Sequence, residues 1–509
     1  MVGCDPMNTY FNLADWIIIF AYLGGIIALG MWFGKDQHNT RDYFLGNRNT
    51  PWWAIGLSIV AAETSALTII GVPALAYGGN IAFIQMIIGY VLARLILAVV
   101  MVPHYLKGEI YSPYQLFSDR LGTSARQTAG GFFLISETLA AGVRVYVVSI
   151  PIQLMLGIGV LPAIVLFVVL SLIYTYVGGV KAVIWTDAVQ FGLFLLGGLF
   201  ALFYIPTLVD GGFASVLSQA AQAGKLHWFN PEFGLQQPFN IWMGVIGGTV
   251  LVLSSHGAEQ LIVQRVLACK NIADGRKALV LSAALVFPLF LIFLFVGVML
   301  WVFYQGHPFK IPLPEAQPGI KANDFIFPIF MMTEVPHVLK GFLIVAILSA
   351  AMSSVSSALT SLSSVSTMDF VKGQHGRRSE NFYLRFSKWS TVAWAAILIF
   401  TAYLSREVAF VMNAAFTLRG LTSGALLGGL ILAVFWKNGR AVSVITGMFA
   451  ALFTMIWVSQ FSWNVNVDGK TEAHKVFWPW FTLIGAMVTL LVAGITNKLV
   501  GARGAQPQA

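Results

Sequence analysis

The chain has 509 residues, of which 58% are hydrophobic, 14% aromatic and only 10% charged, with a formal net charge of +9. A water-soluble chain carries roughly a quarter charged residues, so this composition excludes an ordinary cytosolic enzyme, a disordered chain and a nucleic-acid-binding protein. It places the chain in a bilayer. Two cysteines, Cys4 and Cys269, fall in segments assigned to opposite sides of the membrane, which excludes a disulfide framework and a thiolate metal site.

A spanning helix needs about 20 mostly apolar residues. In chain order such stretches lie at 13–34, 51–78, 80–103, 127–156, 158–178, 183–206, 240–264, 278–303, 337–368, 389–404, 408–436, 441–461 and 476–497, thirteen in all. The first dozen residues lack a basic region and a small-residue cleavage site, so the first span is expected to be permanent. Basic residues set the orientation. With the loops numbered alternately, twenty of the thirty Lys and Arg fall in one set, from Lys35, Arg41 and Arg48 to Lys498 and Arg503, and seven in the other. Arg94, Arg144 and Arg419 lie inside spans. The bias predicts the first set in the cytoplasm, the N-terminus outside and the C-terminus inside. Two longer outer segments, 207–239 with Trp228, Phe229 and Pro231, and 304–336, read equally as vestibule caps or as ordered connectors.

Polar and small residues inside spans are costly and mark candidate sites. The second span runs Gly56 to Thr68 with Glu63 near its middle among small and hydroxyl residues, then Gly71 and Pro73. It is a poor continuous helix, and unwinding it would free carbonyls to hold a cation. The alternative is a packing seam in which Glu63 pairs with an arginine. The sixth span follows a Gly178-Gly179 turn and carries Asp187 and Gln190; Asp187 either completes a cation site or caps the helix start. The seventh closes on Glu259, which needs a cationic partner or a wet cavity, with Arg265 and Lys270 as cytoplasmic anchors. In the ninth span Ser353, Ser356, Ser357, Thr360 and Ser364 share one helical face. Neutral hydroxyls suit a small hard cation without burying a permanent charge, although small residues also serve helix packing. His104 and His256 are isolated and read as satisfied structural histidines. No P-loop, no metal-spaced ligand set and no base at a readable spacing from the serines is present, so neither ATP-driven transport nor an enzyme is expected.

These segments, taken in order, together with Asp42-Tyr43-Phe44-Leu45-Gly46-Asn47-Arg48, Gln264-Arg265 and the serine span ending in Asp369, resemble the sodium/solute symporter family, which includes proline, sialic-acid, galactose, glucose and iodide carriers. The resemblance implies an all-α, multi-pass protein of the cell membrane (plasma or inner) with a 5+5 inverted-repeat core of the leucine-transporter type. The first repeat would cover 51–206 and the second 240–437, separated by the extracellular loop 207–239. Peripheral parts would be 1–50, with the first helix, and 438–509, with two helices and a short tail. The first helix of each repeat would be broken at mid-membrane.

The function implied is sodium-coupled import of a small polar organic solute (sugar, carboxylate or amino acid) by alternating access, with two Na+ per solute and no cofactor beyond the coupling ion. The common sodium site carries over to the carbonyls of Ala61, Thr64 and Ala350 and the hydroxyls of Ser353 and Ser354. A second site carries over to Asp187 with Ser353, Ser356 and Ser357; otherwise Asp187 only braces the inner helix ends and one ion moves. The galactose pattern is not reproduced. The sialic-acid branch is matched at Ser65 and Thr68, and Arg144 resembles its carboxylate-binding arginine one turn displaced. Arg144 pairs otherwise with Glu137, Glu63 or Glu259. Glu63, Gln85 and Glu259 complete the solute-contact candidates. The competing classes are a proton-coupled carrier titrating Glu63, Asp187 or Glu259, and a channel or sensor of the same fold.

Overall fold

The computed structural model describes residues 10–35, 37–64, 66–236, 239–313, 322–372, 378–405, 411–467 and 470–503. Cys4 and Ser65 lie outside the described residues.

The first helix, α1 (Leu13–Phe33), starts on a capping box in which the Asn12 side chain accepts from the Asp15 N–H at 3.0 Å and Asp15 accepts from the Asn12 N–H at 3.1 Å. The second apolar stretch is two helices, α2 (Trp52–Glu63) and α3 (Ala66–Gly78), bent by 56°. The chain leaves the helix at Thr64, whose backbone is extended (φ −80°, ψ 93°). The following helices are α4 (Ile84–Val100), α5 (Gln115–Leu156) and α6 (Val160–Tyr204). At 45 residues α6 is about 68 Å long at 1.5 Å per residue, more than two bilayer cores. Gly179 (φ 54°, ψ −150°) divides it into two legs, in a region of backbone space open essentially to glycine alone. The two stretches 158–178 and 183–206 are those legs.

A second interrupted stretch follows. Helix α7 (Met243–Gly257) opens on a π-helical turn and stops at Ala258. Glu259 is extended (φ −99°, ψ 130°), and α8 (Gln260–Leu267) begins anew. Gly89 of α4 and Gly244 of α7 bring the two backbones into direct contact, since a side chain at either would collide with the other helix. The remaining long helices are α9 (Ile272–Gly306), α10 (Leu339–Val365), α11 (Glu380–Ser405), α12 (Val411–Phe435), α13 (Ala441–Gln460) and α14 (Phe481–Arg503).

A helix therefore lies over each of the thirteen stretches. Among the described residues, seven helices are long and apolar enough to cross a membrane, eight with the bent pair α2/α3 counted as one span. Ile84–Val100, Met243–Gly257 and Arg419–Phe435 are shorter apolar helices. One element escaped the helical reading: an antiparallel hairpin, β1 (Ser462–Val467) with β2 (Lys470–Lys475), between α13 and α14. Its sequence carries the cue, alternating Trp463, Val465 and Val467 before Asp468-Gly469.

The serine-rich α10 is the most enclosed of these spans, with 89% of its apolar window buried against 17–61% for the other six. It packs on α6, α5, α1 and α2. Its N-terminal end is held by α1: Asp15 accepts from the N–H groups of Val338 (2.8 Å) and Gly341 (3.2 Å) and lies 2.6 Å from His337 Nδ1. These are the unpaired N–H groups of a helix start, where a carboxylate is favoured.

Candidate ion and solute sites

The two interruptions, at Thr64 and at Ala258–Glu259, face one cavity of about 680 Å3. From the first broken pair it is lined by Glu63 and Thr68, from the second by Ser255, His256 and Ile262, and from the surrounding helices by Tyr90, Arg144 and Arg419. Toward one side it reaches His227, Asn230 and Phe239, then Asn323 and Asp324, then Phe477 and Trp478. Both longer connecting segments thus border the cavity, which favours the vestibule reading over plain connectors.

Three carboxylates near the cavity each meet an arginine. Glu63 accepts from Arg94, Glu137 from Arg144, and Glu259 takes both Nε and Nη2 of Arg419. The Nη1 atoms of Arg144 and Arg419 have no hydrogen-bond partner among the described residues. A buried charge without a partner is strongly unfavourable, so these pairs let six charged groups sit among apolar helices as a wall with no net charge. Of the partners considered for Arg144, the structure selects Glu137.

Two solute-contact expectations and one histidine reading are corrected. Glu259 does not line the cavity; its carboxylate is taken by Arg419. Gln85 does not line the cavity; it is fully buried and braces the connecting segment, donating to the carbonyl of Phe239 (2.7 Å) and accepting from the N–H of Asn230 (3.1 Å). His256 is not a satisfied structural histidine. Its Nδ1 lies 2.9 Å from Ser255 Oγ, but its Nε2 is buried with no hydrogen-bond partner among the described residues. His104, by contrast, is bonded to the Val100 carbonyl at 2.9 Å, as expected.

A second polar centre lies deeper. Asp187 is two turns inside the second leg of α6, so it does not cap that helix. Its Oδ1 accepts from Ser353 (2.6 Å), and its Oδ2 accepts from Ser58 (2.6 Å) and from Arg265 Nη2 (2.8 Å). Arg265 also donates to Ser58 Oγ at 2.8 Å, to the Leu261 carbonyl at 2.5 Å and to Ser357 Oγ at 2.5 Å. Both charged groups are buried. Arg265 is therefore no cytoplasmic anchor: it joins α8 to α2, α6 and α10. Of the serines grouped with Asp187, only Ser353 touches it. Ser356 and Ser357 donate instead to the Ser353 carbonyl (3.1 and 2.6 Å).

The proposed common sodium ligands lie where α2 packs on α10, and Ala61, Thr64, Ala350, Ser353 and Ser354 are all buried. The Thr64 hydroxyl donates to the Val60 carbonyl (2.5 Å) and that of Ser354 to the Ala350 carbonyl (3.1 Å). Such back-bonding satisfies a hydroxyl proton inside a membrane and leaves its oxygen lone pairs free. Further along, Ser364 accepts from Gln260 and Ser363 donates to the Ser387 carbonyl, so that end of the stripe serves packing. Among the described residues no three His, Cys, Asp or Glu side chains are grouped to hold a metal ion. Removing one member of the Asp187–Arg265 pair strands the other: Arg265→Leu is expected to cost about 3–5 kcal/mol of stability, whereas Asp187→Leu/Arg265→Leu recovers most of it. Urea unfolding in detergent checks the difference; equal losses in the two variants would remove the pair as the linchpin.

Comparison with known proteins agrees with this architecture. The chain is 29% identical over 497 residues to the sodium/sialic acid symporter of Proteus mirabilis (strain HI4320), covering 96% of both chains. It is 25% identical to the sodium-coupled monocarboxylate transporter 1 of Mus musculus, over 90% of this chain and 74% of the other. A solved Na+-coupled sialic acid symporter, substrate-bound and outward-open, superposes with a TM-score of 0.85 at 26% identity, over 96% of this chain and 98% of that one. A nucleobase-cation-symport-1 family transporter in a closed conformation shares the fold alone (TM-score 0.55, 13% identity, 90% and 94% covered). These relatives are multi-pass membrane transporters and not enzymes. The profile of the sodium:solute symporter family matches residues 43–451, and the chain belongs to that family.

Proposed function

We propose that this protein imports a small hydroxylated organic acid, of which sialic acid is one example, together with two Na+ ions. The observation that carries the reading is the cavity beside two helix interruptions, lined by Glu63, Thr68, Arg144 and Arg419. Relatives named for sialic acid and for monocarboxylates support an acidic solute. So do the Nη1 donors of Arg144 and Arg419, since guanidinium groups match carboxylates in shape and charge. About 680 Å3 suits a solute of sugar-acid size. Thr68 and Glu63 contribute polar contacts on the opposite wall.

Sodium from the outside binds at the carbonyls of Ala61, Thr64 and Ala350 and the hydroxyls of Ser353 and Ser354, and clamps α2 to α10. The second ion occupies the Oδ1 side of Asp187, with Ser353 as its nearest hydroxyl and Ser356 and Ser357 on the next turn. The Oδ2 side is held by Arg265, so the carboxylate serves ion and guanidinium at once. Ion and solute tighten each other by linkage. Each charge moved through roughly 100 mV supplies about 2.3 kcal/mol. Two ions with one carboxylate move a single net charge, so the voltage supplies about 2.3 kcal/mol, equivalent to roughly fiftyfold accumulation of the solute.

The thirteen stretches are proposed as thirteen crossings, N-terminus outside and C-terminus inside, with the cavity mouth facing outward. The two interrupted pairs open the halves 51–206 and 240–437, which supports a 5+5 inverted repeat with 1–50 and 438–509 peripheral. A proton-coupled mechanism is less favoured: Glu63, Asp187 and Glu259 are each already paired with an arginine.

Purified protein screened by thermal shift is expected to be stabilised by sugar acids only when sodium is present, and not by neutral sugars or neutral amino acids. Equal uptake by proteoliposomes in sodium and choline media would sink the reading. Ser354→Ala removes one neutral ligand and is expected to raise the half-saturating sodium concentration about tenfold; an unchanged value counts against the common site. Asp187→Asn is expected to lower the net charge moved per carboxylate solute from one to zero, read as current against tracer flux, and an unchanged ratio removes the second site.

A further inference from the structure

We propose that His256 is a specificity-determining residue, and that its Nε2 and the Glu63 carboxylate together read a hydroxyl group of the solute. His256 closes α7 one residue before Gly257 and the break at Ala258, and it is 2% exposed. Its Nδ1 lies 2.9 Å from Ser255 Oγ, which fixes the ring, and the residue lines the cavity together with Glu63. Buried polar atoms without a partner are rare and demand a reason. The nearest charged atom, Glu63 Oε2, is 3.8 Å away, beyond hydrogen-bond reach.

The chemistry of that gap narrows its occupant. A carboxylate would meet the negative charge of Glu63. An ammonium would compete with Arg94 for the Glu63 carboxylate. An alkyl group would leave Nε2 unpaired. A hydroxyl donates its proton to the Glu63 carboxylate and accepts from Nε2–H, the tautomer in which Nδ1 accepts from Ser255 Oγ. The reading rests on the organic-acid assignment above: the carboxylate of the solute goes to the guanidinium wall of Arg144 and Arg419, and one hydroxyl goes to the His256–Glu63 side.

The test uses the full chain and solute pairs that differ by one hydroxyl: sialic acid against its 4-deoxy and 7-deoxy analogues, and lactate against propionate. Sodium-dependent affinity is measured by thermal shift and by competition for uptake. The wild type is expected to prefer the hydroxylated member of at least one pair about tenfold. His256→Leu is expected to bring that ratio near one by weakening the hydroxylated member while leaving its deoxygenated partner unchanged. A His256→Leu protein that keeps the tenfold preference, or loses affinity for both members equally, overturns the proposal. If that variant does not fold, as judged by loss of sodium-induced stabilisation, Glu63→Gln reads the same contact from the other side, and an unchanged preference there overturns it equally. A wild type that binds no acid in sodium defeats the organic-acid assignment itself, whereas acid binding without hydroxyl preference defeats only the role given to His256.

Discussion

The buried pair of Asp187 and Arg265 is the interaction on which the rest of the interior depends. It is made from one residue on the second leg of α6 and one on the second broken helix, and it reaches Ser58 on the first broken helix and Ser353 and Ser357 on α10. In apolar surroundings neither charge is tolerable alone. Four helices are therefore held in register by a demand for electrical neutrality rather than by apolar packing, which has little power to discriminate one helix face from another inside lipid. The same carboxylate is the deepest anionic oxygen near the hydroxyl stripe. A positive ion that reaches it must share it with a guanidinium, which makes the brace responsive to ion occupancy.

The cavity follows a related logic. Its wall contains Glu63, Arg144 and Arg419, yet each is matched by a partner behind the wall: Arg94, Glu137 and Glu259. What the wall offers a solute is not net charge but the donors and acceptors left over after each pair has closed. Selectivity then resides in directional hydrogen bonds, for which a missing partner is penalised more heavily than a missing methylene.

The helical plan was legible because apolar runs of spanning length are hard to mistake, and the interruption at Thr64 because small and hydroxyl residues crowd around Glu63. Gly179 was legible as a turn from its glycine pair. Arg265 was misread because a cationic residue near the end of an apolar stretch normally faces the aqueous phase. Nothing local distinguishes it from Lys270, which is exposed; only the distant Asp187 does. Gln85 was misplaced for the opposite reason. A polar side chain inside a span suggests a solute contact, but two backbone groups of a connecting segment consume it. The arginine–glutamate pairs lay within reach of a simple count, since arginines and glutamates both occur inside spans, but which pairs with which is a matter of three-dimensional register. The hairpin between α13 and α14 was overlooked because its alternating pattern sits in the shadow of two much longer apolar runs.

The clasp between Asp15 and the N-terminal end of α10 gives the first helix a mechanical role. Three groups at residues 337–341 close on one carboxylate of α1, so the first turn of the serine helix owes its cap to the helix that begins the described chain. Any tilt of that serine helix drags its neighbour along or tears the cap away. A helix that looks like ballast thereby becomes an outrigger to the serine helix it caps.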